Sequence, residues 1–420
     1  MHVAVIGAGY AGLAAAAELA ARNVPLTVFE TSRTLGGRAR RVEIAGLPLD
    51  NGQHILVGAY SELLRLMRLV GADPALRLLR RPLTLVYPGR MALRVPRLPA
   101  PLHLAAGLIG ARGLPFAARV AAVRFMRRMQ ADGFRLAADI DVDTLLRRHG
   151  QPYAVRRFLW EPLCLSALNT PPAEASAQIF LNVLRDSLAG ARAASDLLLA
   201  RGDFSDLFPE PAERFIRAQG GTLLRGTAIQ AIGWHPYGFN LAGDPSGRNY
   251  THVIAAVAPY HLARLAAGLP RIAATLDTVA RLEYEPILTA YLAYPTPLRL
   301  PEPMIGLGGG IAHFAFQRGD RLLAAVISAR GPHLDLPREE LVARIHREFE
   351  GAVGPLPGPM WWRVIVEKRA TFACRPGVVR PATETPLAHF LLAGDYVAGD
   401  YPATLEAAVR SGVAAARAIS

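Results

Sequence analysis

The first thirty residues follow the order strand, glycine-rich turn, helix, second strand and acid. Residues 2–6 are apolar and predict a buried parallel strand, and Gly7, Gly9 and Gly12 follow at once with the spacing G-x-G-x-x-G. An Ala-rich helix and a second apolar strand come next, and that strand ends at Glu30. Such glycines permit a tight turn and a close approach of the backbone to a pyrophosphate. The helix N-terminus offers N–H groups to the phosphates, and the acid accepts hydrogen bonds from ribose hydroxyls. The sequence therefore predicts a dinucleotide-binding domain.

A second glycine turn and the C-terminal region favour FAD over NAD as the nucleotide. Gly36 and Gly37 allow a close backbone approach, and Arg38 offers a positive charge to phosphate. Near the C-terminus a short apolar strand runs into Gly394 and Asp395, and the start of a helix follows. An acid in that place can hold a ribitol hydroxyl, and the helix N-terminus can face the polar edge of a flavin. An NAD domain does not need these additional elements.

Three motifs resemble those of the amine oxidase and phytoene desaturase superfamily, namely Gly7-Ala-Gly-Tyr-Ala-Gly12, Leu35-Gly-Gly-Arg38 and Ala393-Gly-Asp395. The run from Leu49 to Tyr60 is similar to the squalene-associated branch of that superfamily, the hydroxysqualene dehydroxylases of bacterial hopanoid synthesis. The resemblance covers essentially the whole chain. It implies FAD as cofactor and a hydrophobic C30 isoprenoid as substrate, and it places the backbone of Ile229 at the adenine edge. The expected cofactor contacts are Gly7, Gly9, Tyr10, Ala11, Gly12, Glu30, Gly36, Gly37, Arg38, Ile229, Gly394, Asp395, Thr404 and Leu405.

The predicted fold class is α/β, with a Rossmann-type FAD-binding domain and a discontinuous mixed α+β substrate domain. We assign residues 1–60, 205–260 and 361–420 to the FAD-binding domain, and residues 61–204 and 261–360 to the substrate domain. The apolar pattern predicts one long helix over residues 105–129 and a strand over residues 228–232.

Composition limits the other classes of function. Hydrophobic residues make up 51% of the 420, yet we find no apolar run of about 18 residues, the length that spans a bilayer. Cys164 and Cys374 lie far apart in sequence, which predicts a reducing compartment with neither a disulfide framework nor a metal site. The net charge of +13 suggests nucleic acid as one partner, but no recognition module accompanies it. An anionic membrane surface fits the charge and the apolar composition better. We expect a cytoplasmic protein, peripheral on the inner membrane.

The segment 90–130 is the most membrane-like part of the chain. It combines many apolar side chains with many arginines and almost no acids. Such a pattern is typical of a pair of basic amphipathic helices that lie in a membrane interface. An ordinary helix that buries its apolar side and exposes a basic back explains the pattern equally well.

Reductive dehydroxylation replaces C–OH by C–H, so it needs a positioned flavin, a long apolar tunnel and a proton donor. The donor candidates are Asp50, His54, Tyr60 and Tyr401, with Glu161 as a further one. For four of these a structural role is an alternative: Asp50 as a turn cap, His54 as a hydrogen-bonded core residue, Tyr60 as an aromatic under the flavin and Glu161 as a helix cap. The reductant, an electron donor, is not identified by the sequence.

Other functions stay open at this point. A desaturase or isomerase of a carotenoid precursor would use the same motifs with the opposite electron flow. A non-catalytic flavin-binding protein that hands prenyl lipids between enzymes is a second alternative. An amine oxidase is disfavoured, because we find no charged set that would recognise an amine.

Overall fold

The computed structural model describes residues 1–419. Its first sheet has five parallel strands, which in spatial order are Thr222–Arg225, Leu26–Glu30, Val3–Ile6, His252–Ala255 and Phe390–Leu392. Strand Val3–Ile6 is fully buried and its neighbour is buried from Val253 to Ala255, because helices cover the sheet. A parallel sheet of this kind presents the carboxyl ends of its strands at one edge, where ligands bind in such folds.

Three helices pack together beside this sheet: Tyr10–Ala21, Pro209–Ala218 and Leu405–Arg417. The first is Ala-rich and buried on almost every side, so small side chains are needed along it. At Gly412 a Cβ atom would overlap the carbonyl oxygen of Ala11, so the first and last of the three helices approach each other closely. The N-terminal and C-terminal ends of the chain therefore form one packed unit.

The second sheet is antiparallel, and its spatial order is Met304–Gly306, Phe314–Gly319, Leu322–Ser328, Tyr284–Ala293 and Trp361–Phe372. Helix Arg338–Val353 packs its apolar side, which includes Leu341 and Phe349, against one face of the sheet. Strand Trp361–Phe372 pairs with Tyr284–Ala293 along most of its length, whereas the sequence assigned residues from 361 onward to the FAD-binding domain. The boundary differs because strand pairing between distant segments leaves no local signal in the sequence.

The remaining elements are short, and most of them are helical. The other α-helices are Ser61–Leu69, Pro74–Arg77, Leu102–Ile109, Phe116–Ala131, Val142–Arg148, Tyr153–Val155, Glu161–Leu168, Ala177–Ser187, Phe204–Leu207, Pro259–Leu265 and Ala273–Ala280, with a π-helical turn at Arg156–Trp160 and 3₁₀ turns at Arg192–Ser195 and Pro332–Leu334. The small sheets pair Arg41–Ile44 with Leu47–Asp50, Thr84–Tyr87 with Met91–Arg94, Ala231–His235 with Gly238–Ala242, and Leu197–Ala200 with both Leu56–Val57 and Leu78–Arg81. Within residues 1–419 no helix has both the length and the apolar character to cross a membrane.

Two sequence predictions of secondary structure are wrong. The helix expected over residues 105–129 is broken into Leu102–Ile109 and Phe116–Ala131, because Gly113 adopts a φ of +79° where a Cβ would overlap the carbonyl of Arg90. The strand expected over residues 228–232 lies at Ala231–His235, where it pairs in a hairpin.

The broken helix also changes the interpretation of segment 90–130. Helix Phe116–Ala131 buries Phe125, Met126 and Met129 inside the protein and exposes three of its four arginines, as an ordinary core-facing helix does. Four apolar side chains of the segment stay exposed, and we call them the exposed apolar cluster: Leu98, Leu102, Ile109 and Phe116. The guanidinium of Arg119 lies over the ring of Phe116 and donates to the carbonyl of Ile109.

A buried carboxylate joins the C-terminal helix to the helical region. Glu406 lies in the first turn of helix Leu405–Arg417 and is fully buried. Its two oxygens accept hydrogen bonds from the backbone N–H groups of Glu62 and Leu63, each at 3.0 Å, at the N-terminus of helix Ser61–Leu69. Backbone N–H groups at a helix start lack partners within the helix, so Glu406 caps that helix from a distant part of the chain.

Candidate active site

A cavity of about 640 Å³ lies between the carboxyl edge of the parallel sheet and the inner face of the antiparallel sheet. Gly7, Ala256 and Gly394 line it directly after the ends of strands in the first sheet. Ile287 and Thr289 line it from the second sheet. Its volume is within the range of ligand sites, and its position is the one at which open α/β sheets bind nucleotides.

Thirteen of the fourteen predicted cofactor residues line this cavity: Gly7, Gly9, Tyr10, Ala11, Glu30, Gly36, Gly37, Arg38, Ile229, Gly394, Asp395, Thr404 and Leu405. The exception is Gly12, which lies behind the turn, where a Cβ atom would overlap the carbonyl oxygen of Gly7. Its role is therefore to let helix and strand pack closely. At Gly9, in contrast, a Cβ would meet only the Cα of Gly37, at 3.8 Å, so the space beside it is open.

The two glycine turns are held against each other. The N–H of Gly36 donates to the carbonyl of Ala8 at 3.0 Å, and Gly9 and Gly36 form an isolated parallel bridge. Glu30 fixes the first turn further, because its carboxylate accepts from the N–H groups of Ala8 and Ser32, both at 2.7 Å. Two loops that are separate in sequence thus make one wall of the cavity.

The charge of Arg38 is compensated within the protein. Its guanidinium lies 2.6 Å from the carboxylate of Asp395 and also donates to the carbonyl of Ala370. The sequence predicted separate contacts of these two side chains with phosphate and ribitol. In the structure they form one polar pair in the cavity wall, and their contacts with phosphate and ribitol stay a prediction.

The polar groups of the cavity fit a bound FAD. Thr404 caps helix Leu405–Arg417 by accepting from the N–H of Ala407 at 3.2 Å, so the positive end of the helix faces the cavity. The backbone N–H and C=O of Ile229 take no part in a backbone hydrogen bond within residues 1–419, which leaves them available for an adenine edge. The hydroxyl of Tyr396, a cavity-lining residue that is buried, also lacks a partner there. Groups of this kind are normally paired, so their presence indicates a polar ligand.

Asp50 is not part of the cavity wall. Its carboxylate is fully buried, accepts from the N–H of Phe204 at 2.7 Å and lies 3.1 Å from the guanidinium of Arg318. Its carbonyl accepts from the hydroxyl of Tyr291 at 3.0 Å. Burial raises the pKa of Asp50 to about 6, against the opposing charge of Arg318. This carboxylate joins helix Phe204–Leu207 to the antiparallel sheet and lines neither the cavity nor the pocket beside it, which argues against it as the proton donor.

His54 lines the cavity, but its protonation state does not suit an acid. Burial lowers the pKa of His54 to about 4, so the ring is neutral near pH 7. Its Nδ1 lies 2.9 Å from the carbonyl oxygen of Gly52. The expectation that His54 is the acid at neutral pH is therefore not supported by its surroundings.

A second, apolar pocket of about 160 Å³ adjoins the cavity, and Ile55, Tyr60, Met304 and Phe314 line both. Its wall is mostly apolar and includes nine leucines, two of them in helix Leu102–Ile109. Burial, with a smaller contribution from the Glu406 charge, raises the pKa of Tyr60 far above its ordinary value. Tyr60 thus keeps its proton at the junction of a polar and an apolar space.

Two other donor candidates are farther from the cavity. Tyr401 lines only the apolar pocket, and burial together with Asp186 raises the pKa of Tyr401 to about 12. Glu161 lines neither space and lies 3.8 Å from Arg157. Of the five proton-donor candidates expected from sequence, His54 and Tyr60 are the two that line the cavity.

Among the polar residues of the cavity wall that the sequence prediction missed are Gln53, Thr289 and Tyr396. Gln53 lies within the run from Leu49 to Tyr60, and Tyr396 directly follows Asp395. Closeness to a predicted contact was the available signal for these two. Thr289 lies in the middle of a strand and carried no such signal.

The model of the family described as flavin containing amine oxidoreductase matches residues 10–420. The chain belongs to this family and is an FAD-dependent oxidoreductase. It is 30% identical to a hydroxysqualene dehydroxylase of Sinorhizobium fredii and 31% identical to that of Rhodopseudomonas palustris, in each case over 99% of this chain and 97% of the relative. A crystal structure of an oxidoreductase from Methanosarcina mazei, 14% identical, has the same fold with a TM-score of 0.77 over 99% of both chains. The predicted fold class, cofactor and family resemblance are confirmed.

Proposed function

We propose that this chain catalyses the FAD-dependent reductive dehydroxylation of hydroxysqualene to squalene, as a step of hopanoid biosynthesis. The observation that carries the proposal is the full-length similarity to two hydroxysqualene dehydroxylases. The shape of the site supports it independently, because an apolar pocket opens beside the predicted cofactor cavity.

The apolar pocket suits a hydrocarbon chain. Leu83, Leu85, Leu93, Leu104 and Leu108 contribute to its wall. The polar side chains along it are few, and Asp186 is the one ionisable carboxylate among the described lining residues. Burying a long isoprenoid here removes apolar surface from water, which stabilises the complex by about 25 cal/mol per Å².

The reaction adds two electrons and two protons, breaks the C–O bond, forms a C–H bond and releases water. Reduced FAD, when bound, supplies the hydride equivalent to carbon. The apolar wall excludes bulk water, so a cation-like allylic carbon is protected from recapture by water. We assign to Tyr60 the donation of a hydrogen bond and proton to the leaving hydroxyl, because it keeps its proton and lines both spaces. An external reductant of unidentified class supplies the electrons.

We further propose that the enzyme works at the cytoplasmic face of the inner membrane. Leu102 and Phe116 of the exposed apolar cluster are 60% and 63% exposed, and helix Leu102–Ile109 turns Leu104 and Leu108 toward the apolar pocket. Residues 90–131 include eight arginines and no acidic residue. Each basic side chain near an anionic membrane contributes about 1 kcal/mol to binding. Exposed apolar side chains in a segment rich in arginine support an anionic bilayer as the partner of the exposed apolar cluster.

The test is product analysis with purified, FAD-loaded protein under anaerobic conditions. Hydroxysqualene and a chemical reductant are added, and we expect squalene in an amount that depends on both enzyme and reductant. A reaction without reductant is the matched control and should leave the alcohol unchanged. Recovery of the alcohol from the complete mixture, with flavin demonstrably reduced, would rule out the proposed activity. Formation of a more desaturated product from a carotenoid precursor by the oxidised enzyme would favour a desaturase instead.

A further inference from the structure

The ring of His54 presents a fixed hydrogen-bond acceptor. The Gly52 carbonyl oxygen, 2.9 Å from Nδ1, can only accept, so Nδ1 carries the proton. In a neutral imidazole the other nitrogen, Nε2, is then an acceptor. This Nε2 makes no hydrogen bond within residues 1–419 and is not buried away from the cavity that His54 lines. Its lone pair is therefore available to a ligand.

The preceding residue adds a second acceptor without a donor. The side-chain Nε2 of Gln53 donates to the carbonyl of His54 at 3.0 Å, which fixes the orientation of the amide. Its Oε1 is left buried, with no hydrogen-bond partner in the described chain. The backbone N–H of Gln53 donates to Thr289 Oγ1 at 3.2 Å, so the residue is anchored to the second sheet. Buried polar atoms are normally paired, and an unpaired one indicates a missing partner.

The surroundings favour a neutral donor as that partner. The ring of Phe204 lies 5.0 Å from that of His54, and Ile55 and Ile287 line the same cavity. The positive charges of Arg38 and Arg318 oppose protonation of His54. A hydrocarbon offers no proton to either acceptor, whereas an O–H group donates its one proton to one of them.

We propose that Nε2 of His54 accepts the proton of the substrate hydroxyl, with Gln53 as the positioning residue that holds the His54 carbonyl, and that this site selects an alcohol over the corresponding hydrocarbon. This inference rests on the proposed function and deepens it. His54 accepts in this contact, so the proton that leaves with water comes from a different group, which agrees with the placement of Tyr60. The N–H groups of a flavin ring are also hydrogen-bond donors. The experiment therefore separates the substrate hydroxyl from the flavin ring as the donor.

The test measures binding in the absence of reductant. Oxidised, FAD-loaded enzyme is titrated with hydroxysqualene and with squalene, and the change in flavin absorption gives two dissociation constants. We expect the wild type to bind the alcohol about tenfold more tightly, the effect of a well-placed hydrogen bond. Gln53→Met and His54→Leu should each bring that ratio close to one, with unchanged affinity for squalene and for FAD. His54→Asn retains a side-chain acceptor and should keep most of the preference.

Two results would overturn the inference. One is an unchanged preference for the alcohol in both Gln53→Met and His54→Leu when each retains FAD. The other is a loss of FAD affinity with an unchanged preference, which would assign the acceptors to the flavin ring. Failure of the proposed function is a separate result, because it appears as wild-type enzyme with reduced flavin that forms no squalene.

Discussion

The guanidinium of Arg38 lies 2.6 Å from the carboxylate of Asp395, and this ion pair joins the second glycine turn to the end of the last strand of the parallel sheet. Both side chains belong to the cavity wall. Asp395 is largely buried and Arg38 about one-third exposed, so the pair is partly shielded from water. The pair therefore fixes two walls of the cavity relative to each other before any ligand is present.

Removing one member of this pair should weaken FAD binding. Arg38→Met leaves the buried carboxylate of Asp395 unpaired and removes a positive charge from the cavity wall, and we expect at least about tenfold weaker binding of FAD with a lower Tm. Quenching of flavin fluorescence on titration into apoprotein measures the affinity. Arg344→Met breaks the exposed pair with Glu340 on helix Arg338–Val353 and serves as the control, with unchanged FAD affinity. Equal FAD affinity of Arg38→Met and Arg344→Met would contradict the role of the Arg38–Asp395 pair.

The glycines of the first turn should fail in different ways. At Gly12 a Cβ atom would overlap the carbonyl oxygen of Gly7. Gly12→Ala should therefore destabilise the fold by about 3 kcal/mol or more and yield little soluble protein. At Gly9 the nearest atom to a Cβ is 3.8 Å away, so Gly9→Ala should fold normally but bind FAD poorly. Circular dichroism and flavin content distinguish the two. Tight FAD binding by Gly9→Ala would show that the space beside Gly9 is not the pyrophosphate site.

Asp50 should contribute to stability in a pH-dependent way without affecting turnover. Burial raises its pKa from 3.8 to about 6, so between these values the folded protein binds a proton that the unfolded chain does not. Its contribution to stability is fully present below the unfolded pKa and is lost as the pH rises through about 6. Compared with Asp50→Asn, the wild type should lose up to about 3 kcal/mol of unfolding free energy over this range. Urea unfolding at several pH values measures the difference, and a constant difference would refute it.

Tyr60→Phe should separate the chemistry from binding. The variant loses only the hydroxyl at the junction of the two spaces, so we expect about 100-fold slower turnover with normal FAD content and little change in KM. Tyr401→Phe is the matched control, because Tyr401 lines only the apolar pocket, and its turnover should stay within a few-fold of wild type. Full activity of Tyr60→Phe in the anaerobic product assay would remove Tyr60 as the donor.

The exposed apolar cluster should carry membrane binding. We expect the wild type to float with vesicles that contain anionic phospholipid at low salt, and Leu102→Ser/Phe116→Ser to bind about tenfold more weakly because two apolar side chains no longer insert. Tyr237→Ser removes an equally exposed aromatic from the hairpin Ala231–Ala242 and should not change flotation. Absence of wild-type flotation would end the membrane proposal.

The nucleotide-binding half was predictable because its signals are local. Gly7, Gly9 and Gly12 occur directly between a strand and a helix, and each has a steric reason that a linear sequence already expresses. The break between Leu102–Ile109 and Phe116–Ala131 had local signals too, in Gly110, Gly113 and Pro115, but the apolar periodicity on either side obscured them.

The properties that depend on distant contacts were not predictable. The membership of Trp361–Phe372 in the second sheet is set by pairing with a strand about seventy residues earlier. The pairing of Arg38 with Asp395, and the neutral state of His54, follow from folding and burial rather than from neighbours in sequence. Sequence patterns therefore identified the residues of the site better than their protonation and partners.

The close contact between helices Tyr10–Ala21 and Leu405–Arg417 has a consequence for biogenesis. The first glycine turn leaves the ribosome early, but its wall partners Asp395 and Thr404 are translated nearly four hundred residues later. A nascent chain consequently has no complete pocket to capture its flavin. We therefore expect FAD to bind after translation, and a chain that ends before Asp395 to bind no flavin.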